Sequence, residues 1–210
     1  MANPESHARI PENLEIRELQ ANESEQLHEF RRRAWADSSL TDQELELLIS
    51  FKAVPLNPIS QLVAVRHEDI IGTFGYFKEE VNTESDKDIT RELNVLHGRG
   101  ALKRPIGNTA IFGHIFELAV DPEWRRRKIG TSLIMAGMQH MQQSDIDLHK
   151  FYLRNKRERT LSPDTFRHHG VVKVRSGIKG IKDHSDFIRT LYAGVVNKTS
   201  ESLSSDTLKN

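Results

Sequence analysis

The stretch with the clearest capacity for chemistry runs from an apolar segment into four consecutive cations and a glycine. In FELAVDPEWRRRKIGTSL, residues 116–133, the apolar run ends at Val120, an Asp-Pro turn follows, and Arg125 to Lys128 precede Gly130. A helix starting near Gly130 would direct free backbone N–H groups and the positive end of its dipole toward this loop. Glycine also allows an anion to approach the backbone closely. Four cations alone are more typical of a solvated turn, but their position between a buried strand and an amphipathic helix predicts a phosphate or pyrophosphate site.

The segment before that loop holds two residues that can accept a proton. Strand alternation predicts that His114, Phe116, Leu118 and Val120 share one face, with Glu117 on the other. A histidine with an ordinary pKa of about 6.5 suits proton removal near neutral pH. His114 is therefore our first candidate for a general base, and a purely structural role for this histidine has equal weight. Glu117 is the second candidate, but a lone carboxylate in an apolar strand is as often the partner of a nearby arginine.

The hydrophobic pattern predicts the elements that must position these residues. It indicates first a strand at 14–19 and then a helix whose inner face holds Leu27, Phe30 and Ala34. A hairpin within 61–77 and a loop at 81–108 with a short helix at 88–97 follow. The last elements are a strand at 109–120, a helix at 131–142 with Ile134, Met138 and Met141 on one face, and a strand at 148–155. The cations of FRRRAW, residues 30–35, are interpreted as the outer face of the first helix rather than as an RNA-contacting patch.

Composition limits the class of protein. The chain has 210 residues with 37% apolar content, which is enough for one sizeable core. We expect one domain at 13–195 between flexible tails at 1–12 and 196–210, because both ends are polar and have little to bury. With no cysteine, the chain has no disulfide framework, no thiolate metal site and no cysteine nucleophile. His168 and His169 do not have the spacing of a metal site, so no metal is expected.

Charge and hydropathy lead to further expectations about partners and compartment. Lys and Arg total 30 and so do Asp and Glu, so the chain lacks the broad positive field of a general nucleic-acid binder. No apolar stretch is long enough to cross a membrane, and the first residues lack a secretory pattern. We therefore expect a cytoplasmic protein, a monomer or homodimer, with no nucleic-acid partner and no membrane span.

The loop and its flanking elements resemble the GCN5-related N-acetyltransferases. That family's signature runs from a strand with Val through a turn with Pro to Arg or Gln, two residues, Gly, one residue, and Gly or Ala before a helix. Val120, Pro122, Arg125 and Gly130 match it, and Lys128 stands where the first Gly is usual. The order of predicted elements is similar to the family's over residues 13–175. The resemblance implies an α/β (α+β) fold: one domain with a mixed, mostly antiparallel sheet flanked by helices.

The resemblance also implies a reaction and a set of site residues. It implies acyl transfer from acetyl-CoA or another acyl-CoA to a primary amine of a small molecule or peptide, with His114 or Glu117 as base. The residues that it implies for coenzyme A binding are Leu118, Ala119, Val120, Arg125, Arg126, Arg127, Lys128, Ile129, Gly130, Thr131, Asn155 and Phe166. Phe166 occupies the place of a tyrosine that is thought to protonate the leaving thiolate in many members, and a phenyl ring has no proton to give.

Two other functions remain open at this stage. Residues 30–35 and the strand at 114–120 are also faintly similar to N-acyl amino acid and autoinducer synthases, which use longer acyl chains from an acyl carrier protein. Lys128 and Phe166 also leave open an acyl-CoA-binding module of this fold that has little turnover. The residues that would select the acceptor carry no motif.

Overall fold

A computed structural model describes residues 10–36, 59–103, 106–155, 172–178 and 188–196 of the chain. The helices are α1 (Ser24–Trp35), α2 (Lys87–Gly98) and α3 (Ile129–Gln143), and short 3₁₀ turns lie at Ala21–Glu23 and Pro122–Trp124. The strands are β1 (Glu15–Glu18), β2 (Ile59–Arg66), β3 (Asp69–Asn82), β4 (Thr109–Val120), β5 (Leu148–Asn155), β6 (Val172–Ile178) and β7 (Ile188–Val195). Each predicted strand and helix is present within a few residues of its expected bounds.

The strands form one mixed sheet in the order β1-β2-β3-β4-β5-β7-β6. The pairs β1–β2, β5–β7 and β7–β6 are antiparallel, whereas β4 and β5 are parallel. The β4–β5 register runs from Phe112↔Leu148 to Ile115↔Phe151. The predicted fold class, a mixed and mostly antiparallel sheet with flanking helices, is confirmed.

The chain divides into two compact units that share β3 and β4. The first comprises Met1–Tyr76 and Glu117–Gly137, and the second comprises Phe77–Phe116 and Met138–Asn210. The first unit therefore contains β1, β2, α1 and most of α3, and the second contains α2 and β5 to β7.

The first unit is built around the apolar face of α1. Leu27, Phe30 and Ala34 are buried, as the periodicity predicts, and pack with Val63 and Ile70 of the hairpin strands. His67 and Glu68 connect β2 to β3 with φ angles of 48° and 71°, the backbone of a tight hairpin turn.

Close packing of α3 on β3 in the same unit depends on glycine. A Cβ on Gly72 would lie 2.8 Å from Leu133 and 3.3 Å from Ile129. Only a residue without a side chain lets this helix come so near the strand.

The second unit has its own core beneath α2. Asp86 caps this helix by accepting from the N–H groups of Asp88 at 2.9 Å and Ile89 at 3.1 Å. Ile89 and Leu96 then pack with Phe112 of β4 and Leu148 of β5. The predicted short helix is thus confirmed, and the loop expected over 81–108 is shorter than predicted because β3 continues to Asn82 and α2 spans twelve residues.

Two elements of the second unit have no counterpart in the sequence-based prediction. Strands β6 and β7 extend the sheet beyond β5, with β7 between β5 and β6.

In the ranges that the structure describes, no helix has the length and apolar character to cross a membrane. The same ranges contain no group of three His, Asp or Glu side chains placed to hold a metal ion. His168 and His169 lie outside them.

Candidate active site

The turn that follows β4 is held by several hydrogen bonds of Asp121. Its backbone N–H donates to the carbonyl of Ile71 at 3.0 Å, and its carboxylate accepts from the N–H of Glu123 at 3.1 Å. Arg33 of α1 donates from Nε to the same carboxylate at 3.1 Å. The Asp-Pro turn is therefore fixed to both β3 and α1, which determines where the cationic loop begins.

Arg125 links the loop to two elements of the first unit. Its Nε donates to the carbonyl of Val120 at 3.1 Å and its Nη2 to the carbonyl of Ala34 at 3.0 Å. Ala34 lies in the last turn of α1, where carbonyls lack partners within the helix. The guanidinium predicted to meet a pyrophosphate thus already binds two backbone carbonyls.

The rest of the loop has an unusual backbone. Arg126 and Lys128 have φ angles of 63° and 61°, in the left-handed region that favours glycine. Lys128 occupies the position where the signature has its first Gly. The left-handed backbone at this position explains why glycine is usual there. Alternation of left-handed with ordinary residues turns backbone N–H groups toward a common concave side, which suits an anion.

The first turn of α3 opens onto this loop. Ser132 is the residue whose N–H reaches back to the carbonyl of Lys128, at 2.9 Å, so the N–H groups of Ile129, Gly130 and Thr131 have no acceptor within the helix. Among the described residues, a Cβ on Gly130 would meet only Val120, at an ordinary 3.6 Å. Packing within the protein does not require glycine here, and its absence of a side chain leaves open space beside the free N–H groups. The loop has the geometry and charge that a pyrophosphate requires.

The end of β4 presents backbone donors toward its outer edge. Asp121 donates to Ile71 of β3, and successive strand residues direct their N–H groups to opposite edges. Leu118 and Val120, which alternate with Asp121, accordingly direct theirs away from β3. Ala119, between them, packs its side chain against the α1 core.

His114 lies in an aromatic and charged environment within the second unit. The ring of Phe77 stacks on that of His114, with centroids 4.6 Å apart and planes 9° from parallel. The ring centroids of Phe77 and Phe116 are 6.4 Å apart. Nε2 of His114 is 2.5 Å from a carboxylate oxygen of Glu79. His114 and Phe116 share one face of β4, as alternation predicts.

Burial changes the acid–base behaviour of His114. Desolvation, together with the charge of Lys150, lowers the pKa of this imidazole to about 4, although Glu79 acts in the opposite direction. This corrects the sequence-based expectation of an ordinary pKa near neutrality. The ring is neutral at pH 7 and can accept a proton, but it is a weaker base than an exposed histidine.

Glu117 is the centre of a buried polar network in the first unit. Arg31 donates from Nε and Nη2 to its two carboxylate oxygens at 2.8 and 2.6 Å, and Gln61 donates at 3.1 Å. Gln61 also donates to the hydroxyl of Thr73. Of the two interpretations of Glu117, the structure therefore agrees with the ion-paired one. Arg31 is buried, which corrects the prediction that all the cations of residues 30–35 lie on the outer face of α1.

The remaining predicted residues are placed in part. The backbone of Asn155 ends β5 opposite Ile188, and Phe166 lies outside the described ranges. Sequence reasoning missed Glu79, Arg31 and Trp124 as neighbours of the predicted residues. No local signal identifies the pairing of Glu79 with His114 or of Arg31 with Glu117, because each joins positions on different elements. Trp124 is a local neighbour, since the guanidinium of Arg127 lies 4.6 Å from its indole centroid.

Comparison with known proteins agrees with this fold. The chain is similar to an acetyltransferase of the GNAT family from Streptococcus pneumoniae, with 16% identity, a TM-score of 0.56, and coverage of 87% of this chain and 98% of that one. It is similar to Arabidopsis thaliana NAA60 in complex with acetyl-CoA, with 14% identity, a TM-score of 0.57, and coverage of 88% and 99%. For the aminoglycoside 6'-N-acetyltransferase from Enterococcus faecium, identity is 14%, the TM-score 0.55, and coverage 87% and 97%. At these identities the similarity shows the fold.

The mixed sheet is that of the N-acetyltransferase class of enzymes, to which the protein belongs. A family model places the chain more narrowly. The model of the acetyltransferase (GNAT) family matches residues 24–162, more than half of the sequence, and the chain belongs to this family. A comparison with curated proteins gave no match.

Proposed function

We propose that this protein transfers an acetyl group from acetyl-CoA to a primary amine. The observation that carries the proposal is the loop of the first unit, in which left-handed Lys128 precedes the open N–H groups of Ile129, Gly130 and Thr131. Family membership supports the same reaction class, and one neighbour of this fold was solved with acetyl-CoA. The acceptor is a small molecule or a peptide that presents an amine.

Two parts of the co-substrate would have counterparts in the chain. The N–H groups of the first turn of α3 would bind the pyrophosphate, with Arg126, Arg127 and Lys128 adding charge. The N–H groups of Leu118 and Val120, directed to the outer edge of β4, would bind the pantetheine and polarise the thioester carbonyl. Bound acetyl-CoA supplies an activated acyl carbon.

Proton balance assigns a role to His114. An amine must lose a proton to become a nucleophile, and a second proton is released as its nitrogen bonds to the carbonyl carbon and the C–S bond breaks. The thiolate leaves and takes up one proton. His114, neutral at pH 7 and stacked on Phe77, is the group on β4 that is available to accept the other. Glu117 serves instead as the partner of Arg31.

Calorimetry with a single glycine variant tests the coenzyme A site. Gly130→Ala should fold at least as well as wild type, because the added Cβ has room and alanine is more favourable in a helix than glycine. The methyl group would fill the space beside the free N–H groups. We therefore expect the Kd for acetyl-CoA to rise by about 10-fold, which is a loss of about 1.4 kcal/mol of binding free energy. Gly98→Ala, at the last position of α2, is the matched control, since no atom of the described residues lies within 4 Å of its added Cβ.

A free-thiol assay over a panel of amines then tests turnover. Release of coenzyme A that depends on the amine supports the proposed reaction. Binding of acetyl-CoA without turnover on any amine would make the protein an acyl-CoA-binding module, and a preference for long acyl chains would favour the synthase-like alternative. Absence of acetyl-CoA binding by the folded wild-type protein would contradict the proposal.

A further inference from the structure

Aromatic rings of the second unit lie beside a carboxylate that is open to solvent. Phe77 and Glu79 are two positions apart on β3, and His114 and Phe116 are two positions apart on β4, so each pair shares one face of its strand. The ring of His114 stacks on Phe77, and its Nε2 is 2.5 Å from a carboxylate oxygen of Glu79. These contacts place both pairs on the same face of the sheet. We call the four residues the aromatic patch.

The charge of Glu79 is not balanced by its partner. Burial and the charge of Lys150 lower the pKa of His114 to about 4, so the imidazole beside Glu79 is neutral at pH 7. Lys150 itself is buried, lies over the ring of Phe112 and pairs with Glu92 at 3.7 Å. The side chain of Glu79 is 43% exposed. It therefore presents a negative charge that a ligand can reach.

The rings beside this carboxylate supply an apolar surface. Phe116 is 36% exposed, and its ring centroid is 6.4 Å from that of Phe77. Ligand sites combine an aromatic or apolar lining with a few polar groups, and the aromatic patch has this composition. A carboxylate beside aromatic rings favours an organic cation, because the carboxylate balances the charge and ring faces attract cations. A ligand that also carries a carboxylate would be repelled by Glu79.

We propose that the aromatic patch binds the acyl acceptor and that Glu79 selects a primary ammonium on an apolar body, against amines that also carry a carboxylate. This selectivity rests on the proposed function, since it presumes that an amine is the acceptor. Glu79 pairs with the ammonium, and Phe77 and Phe116 pack against the apolar body. The bound ammonium then lies beside the imidazole of His114, because that ring is in contact with the carboxylate of Glu79.

A series of amines with one common body tests the selectivity, namely phenethylamine, phenylalanine and phenylalanine amide. Amine-dependent release of coenzyme A by the full chain gives kcat/KM for each. Wild type should favour phenethylamine over phenylalanine by about 10-fold or more, because Glu79 repels the additional carboxylate. The amide has nearly the same bulk as phenylalanine without its negative charge, so it should behave like phenethylamine.

Variants of the carboxylate then assign the preference to Glu79. In Glu79→Gln, kcat/KM for phenethylamine should fall by about 10-fold and its advantage over phenylalanine should nearly vanish, since an amide neither balances an ammonium nor repels a carboxylate. Effects of the variant on the pKa of His114 largely cancel in this ratio, because both amines give their proton to the same group. Glu79→Asp keeps the charge and should retain part of the preference.

The next residue of β3 provides the matched control. Glu80 is exposed, and strand alternation directs it to the opposite face from Glu79. Glu80→Gln removes the same charge from the same strand and should leave the ratio of phenethylamine to phenylalanine unchanged. An equal effect of the two variants would overturn the assignment, because it would show general attraction rather than contact with Glu79.

Binding provides a readout that does not require turnover. NMR signals of the His114 ring, assigned with His114→Asn, should shift when phenethylamine is added to the wild type and shift much less with phenylalanine. The shift with phenethylamine should disappear in Glu79→Gln. A preference for phenethylamine that survives in Glu79→Gln would overturn the inference.

Other outcomes distinguish this inference from the proposed function. Turnover that excludes phenethylamine, or that is confined to amines with an acidic group, would overturn the inference and leave the proposed function intact. Absence of turnover on every amine would contradict the proposed function. In that case the NMR titration still decides whether the aromatic patch selects amines, and the absence of a shift with phenethylamine would overturn the inference as well.

Discussion

At the scale of single residues, the properties of the site come from unusual environments rather than unusual residue types. His114 is partly buried, with Phe77 stacked on its ring and the carboxylate of Glu79 at its Nε2, and the charge of Lys150 acts on the same ring. Glu92 of α2 in turn pairs with Lys150 at 3.7 Å. The pKa of the histidine therefore depends on its burial and on charged groups from β5 and β3.

The pKa of His114 can be measured by NMR titration of its ring, assigned with a His114→Asn variant. We expect a value of about 4 in the wild type. Lys150→Gln should raise this pKa, because a positive neighbour that disfavours the imidazolium is removed, and Glu79→Gln should lower it further. Glu84→Gln, an exposed carboxylate change in the same unit, should have no effect. A wild-type value near 6.5 would contradict the burial argument.

Lys128 has a conformation that is costly for any residue with a side chain. A left-handed residue other than glycine costs on the order of 1 kcal/mol, and the φ of Lys128 is 61°. Lys128→Gly should therefore raise the free energy of unfolding by about 0.5–1 kcal/mol, measured by urea denaturation. Lys128→Ala removes the same charge but keeps the Cβ, so it should give no such gain. Equal effects of the two variants would mean that charge, not backbone strain, determines stability at this position.

At the scale of elements, the pair Arg31–Glu117 joins α1 to β4. The two side chains are nearly fully buried and bidentate, with Gln61 of β2 as a third member. A buried ion pair contributes little relative to apolar residues, but removing one partner leaves an unpaired charge inside the protein. The pair therefore specifies how the helix and the strand fit together.

A double-mutant cycle on this pair tests that role. Glu117→Leu alone should destabilise the fold by about 3–5 kcal/mol, since it leaves the guanidinium of Arg31 without its carboxylate. Arg31→Met together with Glu117→Leu should cost clearly less than Glu117→Leu alone, as measured by urea denaturation. Glu29→Gln, on the exposed side of α1, should change stability by less than about 0.5 kcal/mol. A double variant as unstable as the sum of both single variants would show that the two residues act independently.

At the scale of the whole molecule, buried ionisable groups predict how stability depends on pH. The folded pKa of His114 is about 4 against an ordinary 6.5, so the unfolded chain takes up this proton first as pH falls. The hydrogen bond from Arg17 lowers the pKa of Glu23 to about 2 from an ordinary 4.5. Burial raises the pKa of Glu92, which acts in the opposite direction because the folded state then binds a proton more readily.

Urea midpoints measured from pH 8 to pH 3 should follow these groups. Stability should fall as pH decreases from about 6.5 to about 4, where only the unfolded state has a charged histidine at this position, and fall again below about 4.5 as Glu23 is protonated on unfolding. His114→Asn should flatten the first part of the curve and leave the second. A curve for His114→Asn that runs parallel to the wild-type curve throughout would exclude His114 as the cause.

The local pattern of the sequence was sufficient for the elements up to β5 and for naming the loop as a candidate anion site, but it did not predict β6 and β7. Period-two alternation assigned His114 and Phe116 to one face of β4, and the periodicity of α1 identified Phe30 and Ala34 as core residues; both follow from burial along a single element. The cations followed by Gly130 likewise identified a candidate anion site, because a helix start and its charges are neighbours in the chain.

Only the tertiary structure decided which side chains these residues meet. Glu117 pairs with Arg31, 86 positions away, and Arg125 binds a carbonyl 91 positions away. The charges of Lys150 and Glu79 change the pKa of His114. The guanidinium of Arg66, from another strand, lies over the indole ring of Trp124. Period and propensity are set by neighbours along the chain, whereas pairing and desolvation depend on which strands and helices are adjacent in space. That is why the sequence alone could name candidates for the site but not the partners that determine their charge, position and availability.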